Sequence, residues 1–242
     1  MIVSIHQPNF LPWLGYFHKI MKSDLFIFLD NVQLPRGKSF CHRTAYKAGE
    51  KRGWLTVPVL NKSKLVLIKE AKIANNQPWV RKHLGTIKSF YGKTPYFEKY
   101  YPDLQDIYGR NYERLIDLNV ALINYVLSQL KVNTKLLFAS EILPRKNREG
   151  VDYLISLVKE VGGKIYLSGQ GSGSKRYIDE KLFTAKGIRV KWQNFNHPVY
   201  RQTGTNFLPN LSIIDLLFNE GCSAQNILLE GESLNESRAV LS

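Results

Sequence analysis

The sequence predicts an α/β fold in which a mostly parallel sheet carries flanking helices and a helical insertion, and three stretches predict it. Ile2-Val3-Ser4-Ile5 is a short β-prone run, residues 11–21 read as a helix, and residues 24–30 form a second apolar run. A strand, a helix and a strand within about thirty residues make a βαβ unit. The same alternation resumes at residue 134. Between the two blocks, residues 75–132 show helical spacing, which marks an insertion between sheet elements.

Each element has a local reason. Pro12 suits the first turn of its helix, where a missing N–H costs nothing. Asp24 and Asp30 bracket Leu25-Phe26-Ile27-Phe28-Leu29, the pattern of a strand covered on both faces. Residues 33–73 break into short polar and aromatic pieces, read as antiparallel strands and loops over the main sheet. Residues 54–59 and 65–68 are the expected strands there, and Pro58 makes the first an edge strand or ends it. Pro78 opens a helix that Gly92 closes, residues 95–108 form a shorter one, and Asn111 is expected to cap a long helix. That helix carries Leu115, Leu118, Leu122 and Val126 on one face.

Residues 134–140 then read as a strand, and Val151, Leu154, Ile155 and Val158 mark a helix ending at Gly162-Gly163. Another strand, residues 164–168, leads into a glycine-serine loop and a helix from about residue 176. Residues 188–192 alternate as a strand, and residues 211–219 form an amphipathic helix stopped by Gly221. The expected organisation is one α/β domain over residues 1–242.

Composition narrows the class. The 242 residues are 44% hydrophobic and 22% charged, which excludes a disordered, collagenous or coiled-coil chain. No apolar run approaches the ~20 residues that span a bilayer. The start lacks a basic stretch followed by an apolar one, and two cysteines are too few for a disulfide scaffold, so a reduced, cytoplasmic protein is expected. Lys and Arg outnumber Asp and Glu by 34 to 20, a formal charge of +14 that suits an acidic partner. The bases are scattered in pairs such as Lys51-Arg52, Arg145-Lys146 and Lys175-Arg176, without the basic helix or tail of a dedicated nucleic-acid arm. A phosphate-bearing small molecule is one reading; a solvated basic surface is the other.

Candidate chemistry gathers where strands end. His6 closes the first strand, with Gln7, Asn9 and Tyr16 following, and open α/β sheets bind ligands at the carboxyl ends of their strands. The imidazole changes charge near neutral pH and is the candidate catalytic group; a buried, hydrogen-bonded histidine is the alternative. Asp30, at the end of the second strand, is the candidate partner, with Gln33 nearby as a ligand contact. Gly169, Gly171 and Gly173, followed by Lys175 and Arg176, form a loop whose N–H groups and charges suit a phosphate. It matches neither a Walker loop nor the dinucleotide fingerprint. His197 and Tyr200 belong to a polar loop that is expected to line the same cleft. Cys41 and His42 are adjacent in an extended segment, so their side chains diverge, and no zinc spacing is present; no metal is expected.

The strand leading into His6 resembles the nucleotidyltransferase-like group of the HIGH superfamily, whose histidine loops face nucleotide phosphates. Gly15-Tyr16 stands where that group has Gly-His, so the second imidazole is missing. A broader resemblance covers residues 2–221. His6-Gln7-Pro8-Asn9-Phe10-Leu11-Pro12-Trp13-Leu14-Gly15-Tyr16-Phe17, residues 24–33, residues 54–59, Ser168-Gly169, His197-Pro198-x-Tyr200-x-Gln202 and Phe207-Leu208-Pro209-Asn210-Leu211-Ser212 are similar to the WbqC-like protein family. That resemblance implies bacterial polysaccharide and O-antigen biosynthesis, with glycine transfer to an amino sugar as the activity proposed for the family. It brings no catalytic residues with it. The expected function is attachment of glycine, or a similar small acyl group, to the amine of a nucleotide-linked amino sugar. ATP or an aminoacyl-tRNA would supply the activated donor. A non-catalytic nucleotide-sugar or carbohydrate binding protein of the same pathway is the alternative.

Overall fold

The structure, a computed structural model, describes residues 1–60, 65–145, 150–171, 174–175 and 178–230. Five parallel strands form the central sheet: β1 (Ile2–His6), β2 (Leu25–Phe28), β5 (Lys135–Phe138), β6 (Ile165–Ser168) and β7 (Arg189–Trp192). Their spatial order is β5-β2-β1-β6-β7. Chain order therefore runs outward from β1 to one edge and then from β6 to the other, as in doubly wound sheets. A separate hairpin, β3 (Arg43–Ala48) with β4 (Lys51–Thr56), pairs antiparallel.

Alternation along β2 explains why both faces of the sheet are covered. Phe26 and Phe28 join one apolar cluster with α1 (Leu14–Met21) and the helices of the insertion. Those helices are α2 (Trp79–Tyr91), α3 (Phe97–Gly109) and α4 (Leu115–Gln129). Leu25 and Ile27 join a second cluster with Val3, Ile5 and α6 (Gly150–Glu160). The short helix α5 (Ala139–Ile142) follows β5 directly, α7 (Glu180–Ala185) follows β6, and α8 (Ile213–Glu220) packs into the first cluster. At the turn from α6 into β6 the backbone approaches β1 closely. A Cβ on Gly163 would stand 2.7 Å from both Val3 Cγ2 and Val158 Cγ1, so only glycine fits.

Two local expectations are corrected. Residues 65–68 do not make a strand: Leu67 forms an isolated bridge with Gln33, and Ile68–Glu70 is a 3-10 turn. Asn111 does not cap α4; it sits at φ +54°, and Arg114 occupies the cap position, its guanidinium donating to Asp117 at 2.8 and 2.9 Å. An asparagine before a helical run serves the left-handed turn as readily as the cap, which is why the sequence misplaced it.

The sheet opens at one place. β1 pairs with β2 over four residues, but with β6 over only two, Ile2 with Ile165 and Val3 with Tyr166. Beyond them the contact is a side-chain one, Ser4 Oγ donating to the Leu167 carbonyl at 3.1 Å. The neighbouring strands thus part towards their carboxyl ends, at the point where the strand order reverses. Doubly wound sheets hold their ligands in this crevice.

Candidate functional site

A cavity of about 700 Å³ occupies that crevice. Ile5, His6 and Gln7 enter it from the end of β1, and Tyr166 and Ser174 from β6 and the loop after it. Gln33 lies on its rim, Tyr153 comes from α6, and Arg145 comes from the loop after α5. Of the expected site residues, His6, Gln7 and Gln33 are among its walls, and Ser174 joins them from the glycine-serine segment; Gly169, Gly171 and Lys175 are not among them.

His6 is held on several sides. Its Nδ1 lies 3.0 Å from the Gln7 carbonyl, which also accepts from the Tyr16 hydroxyl at 3.1 Å. The Tyr16 ring meets the imidazole edge-on at 5.0 Å. A carbonyl can only accept, so Nδ1 carries the hydrogen and Nε2 is the lone-pair nitrogen. Burial, followed by the charge of Lys19, lowers the His6 pKa to about 3, against a small opposing effect of the Gln7 carbonyl. The imidazole is neutral at physiological pH. Lys19, buried on α1, donates to the Ile5 carbonyl at 3.3 Å, and burial lowers its own pKa to about 7.

Arg145 supplies the positive charge. Its Nε is sealed from solvent and has no hydrogen-bond partner among the described residues. Gly150, the first residue of α6, lines the same cavity, so the positive end of that helix faces it too. A guanidinium and a helix start converging on one space suit an anion.

The other expected residues divide. Asn9 and Tyr16 lie behind the pocket wall: Asn9 Oδ1 is 3.7 Å from the Cys41 thiol, and Tyr16 is 2% exposed. Burial and the neighbouring Cys41 raise the Tyr16 pKa well above its ordinary value. Gly169 backs onto Ser174, where a Cβ would be 3.7 Å from its Oγ. Gly171 and Lys175 close a turn instead, the Lys175 N–H donating to the Gly171 carbonyl at 3.0 Å. Gly173 and Arg176 lie outside the described residues.

Asp30 shares the sheet edge with His6 but has another occupation. Its two carboxylate oxygens accept from the Ser140 N–H at 2.9 Å and the Ser140 hydroxyl at 2.5 Å. The aspartate thus fixes the start of α5. His197 and Tyr200 are also placed elsewhere. The Tyr200 hydroxyl donates to Asp215 at 2.7 Å, joined by Tyr91 at 2.9 Å and the Gln202 amide at 2.9 Å. His197 stacks on Tyr200 at 6.2 Å, and burial lowers its pKa. This loop braces α8 and does not line the cavity.

Cys41 is fully buried, and burial pushes its thiol up to about 11, so it is no nucleophile at neutral pH. Among the described residues no group of three or more His, Cys, Asp or Glu side chains is placed to hold a metal. A second cleft of about 610 Å³ lies over α2 and α3, with Trp79, Tyr101, Gln105 and Arg81 among its walls. It brings together no acid and base.

Residues 7–227 match the WbqC-like protein family. The chain belongs to that family. A relative from Mycobacterium tuberculosis, "Uncharacterized protein Rv1507c", is 30% identical to it over 230 residues, covering 93% of this chain and 96% of the relative. No solved structure matches the chain. For this WbqC-like protein the cavity adds two residues that sequence reasoning passed over. Arg145 stood out only as half of a basic pair, and Tyr153 only as part of a helix. The available signal was position: Arg145 follows the third parallel strand in chain order, whose carboxyl end must face the same crevice.

No described helix is long and apolar enough to cross a membrane.

Proposed function

We propose that this protein is an acyl-transferring enzyme that joins glycine, or a similar small acyl group, to the amine of a nucleotide-linked amino sugar in polysaccharide assembly. The observation that carries the reading is the convergence of Arg145, the start of α6 and His6 on one cavity at the parting of β1 and β6. Arg145 and the helix start hold the diphosphate of the nucleotide sugar. The neutral His6 presents Nε2 to the sugar amine. As the amine nitrogen attacks the acyl carbonyl its N–H becomes acidic and the imidazole accepts the proton. The acyl C–O bond breaks to release AMP from an acyl-adenylate or the 3′-terminal hydroxyl of the tRNA. An unliganded pKa of about 3 makes a weak base, and a bound diphosphate raises it by favouring the imidazolium. The donor is either an acyl-adenylate made from ATP, in keeping with the nucleotidyltransferase-like strand and loop, or an aminoacyl-tRNA.

The test is incubation with glycine, ATP and dTDP-linked 4-amino sugars, with and without glycyl-tRNA, followed by mass spectrometry of the nucleotide sugar. A glycylated product in either arm supports transfer and names the donor. No product in any combination sinks it. The low basicity of His6 favours one second reading, a nucleotide-sugar binding protein without turnover. It predicts saturable binding of the dTDP sugar by calorimetry together with unchanged ligand in the same incubations.

A further inference from the structure

The β3–β4 hairpin carries an aromatic, basic face that the cavity chemistry leaves unused. Arg43 pairs across the hairpin with Thr56, and Ala45 with Trp54, so Arg43 and Trp54 are diagonal neighbours on one face. The small Ala45 lets the arginine lie flat, its guanidinium carbon 3.6 Å from the centre of the Trp54 ring. Phe40 stands 6.3 Å from Trp54. The two rings are 60% and 40% exposed, although folding normally hides side chains of this size.

The charge around them has one sign. Residues 36–56 contain six bases, Arg36, Lys38, Arg43, Lys47, Lys51 and Arg52, and a single acid, Glu50. Glu50 is occupied by the N–H groups of Thr205 and Asn206, at 2.9 and 3.1 Å. Lys47 is buried and donates to Asn206. The exposed charges of this segment are therefore Arg36, Lys38, Lys51 and Arg52. Arg52 shares the face of Trp54 and donates one guanidinium N–H to the Pro209 carbonyl at 2.7 Å, whereas Lys51 falls on the opposite face. The face also adjoins the cavity: Cys41, next to Phe40, donates its thiol hydrogen to Gln7 Oε1 at 3.4 Å.

Exposed rings backed by a flat cation and ringed by unopposed positive charge match one chemistry, planar bases on a polyanionic chain. We infer that this hairpin face binds an unpaired nucleic-acid strand, with bases stacked on Trp54 and Phe40 and phosphates held by Arg36, Lys38 and Arg52. A duplex hides the faces of its bases, so pairing removes the stacking and leaves only the charge. The inference stands apart from the acyl-transfer reading.

Fluorescence anisotropy of the full chain tests it, with labelled single strands of about ten nucleotides as RNA and as DNA, and the same sequences in duplex form. Both strands are expected to bind more tightly than their duplexes, and the tighter of the two names the natural strand. Trp54→Ala and Phe40→Ala should each weaken strand binding about tenfold, and Arg52→Glu should make the dependence on salt shallower. Leu182→Ala, an exposed apolar residue on α7, should change nothing. Thermal melts of the variants confirm that each is folded. Equal affinity for strand and duplex would overturn the inference, as would full binding by both ring variants. Binding of phosphatidylglycerol vesicles in preference to either strand would overturn it too.

Discussion

The Asn119 side-chain amide donates to the Pro8 carbonyl at 2.9 Å and to the Cys41 carbonyl at 2.7 Å. It ties the long helix of the insertion to the turn that carries His6 and Gln7. Asn119 is completely buried, so both carbonyls depend on it. Asn119→Ala strands those acceptors, which should cost about 1–3 kcal/mol in urea denaturation. The loosened turn should also weaken binding of a dTDP sugar. Unchanged stability would mean that the turn holds itself.

Asp30 and Ser140 should behave as one unit. Asp30→Ala and Ser140→Ala each remove a charge-assisted contact at the start of α5, and each should destabilise the fold by about 1–2 kcal/mol. The double variant should lose less than the sum. A catalytic Asp30 would give a different outcome, activity lost in Asp30→Ala and retained in Ser140→Ala.

Two histidines with lowered pKa values set an acid limit. Burial lowers His6 to about 3 and His83 to about 4, whereas in the unfolded chain both titrate near 6.5. Between those values the unfolded chain binds more protons, so stability falls as pH drops below about 6.5. The loss is complete only below the folded values. Each histidine adds a slope of about 1.4 kcal/mol per pH unit within its window. Urea midpoints measured from pH 4.5 to 7 should show it, and His83→Gln should flatten the curve. An equally steep curve in His6→Gln and His83→Gln would place the titrating groups elsewhere.

Arg145 should govern anion affinity without holding the fold. Its Nε has no partner among the described residues, so Arg145→Ala should leave the melting temperature nearly unchanged. Affinity for the dTDP sugar should drop tenfold or more, and Arg145→Lys should recover only part of it, because a point charge cannot reproduce the guanidinium fork. Undiminished affinity in Arg145→Ala would move the diphosphate out of this cavity.

Periodicity alone determined the alternating strands and helices, the insertion and the stop at Gly221, because covered faces and turn residues leave a local signature. The place of His6 at the carboxyl end of its strand followed from the same local pattern. The partners of those side chains were not local. Ser140 reaches Asp30 across 110 residues, and Arg145 enters the crevice from a loop whose own sequence says only that it is basic. Strand order decided both. Placing β6 beside β1, and letting the two part after two paired residues, brings together segments that no spacing in the chain relates. Packing across the sheet set Asp30 against the start of α5 and brought Arg145, legible in the sequence only as half of a basic pair, into the cavity.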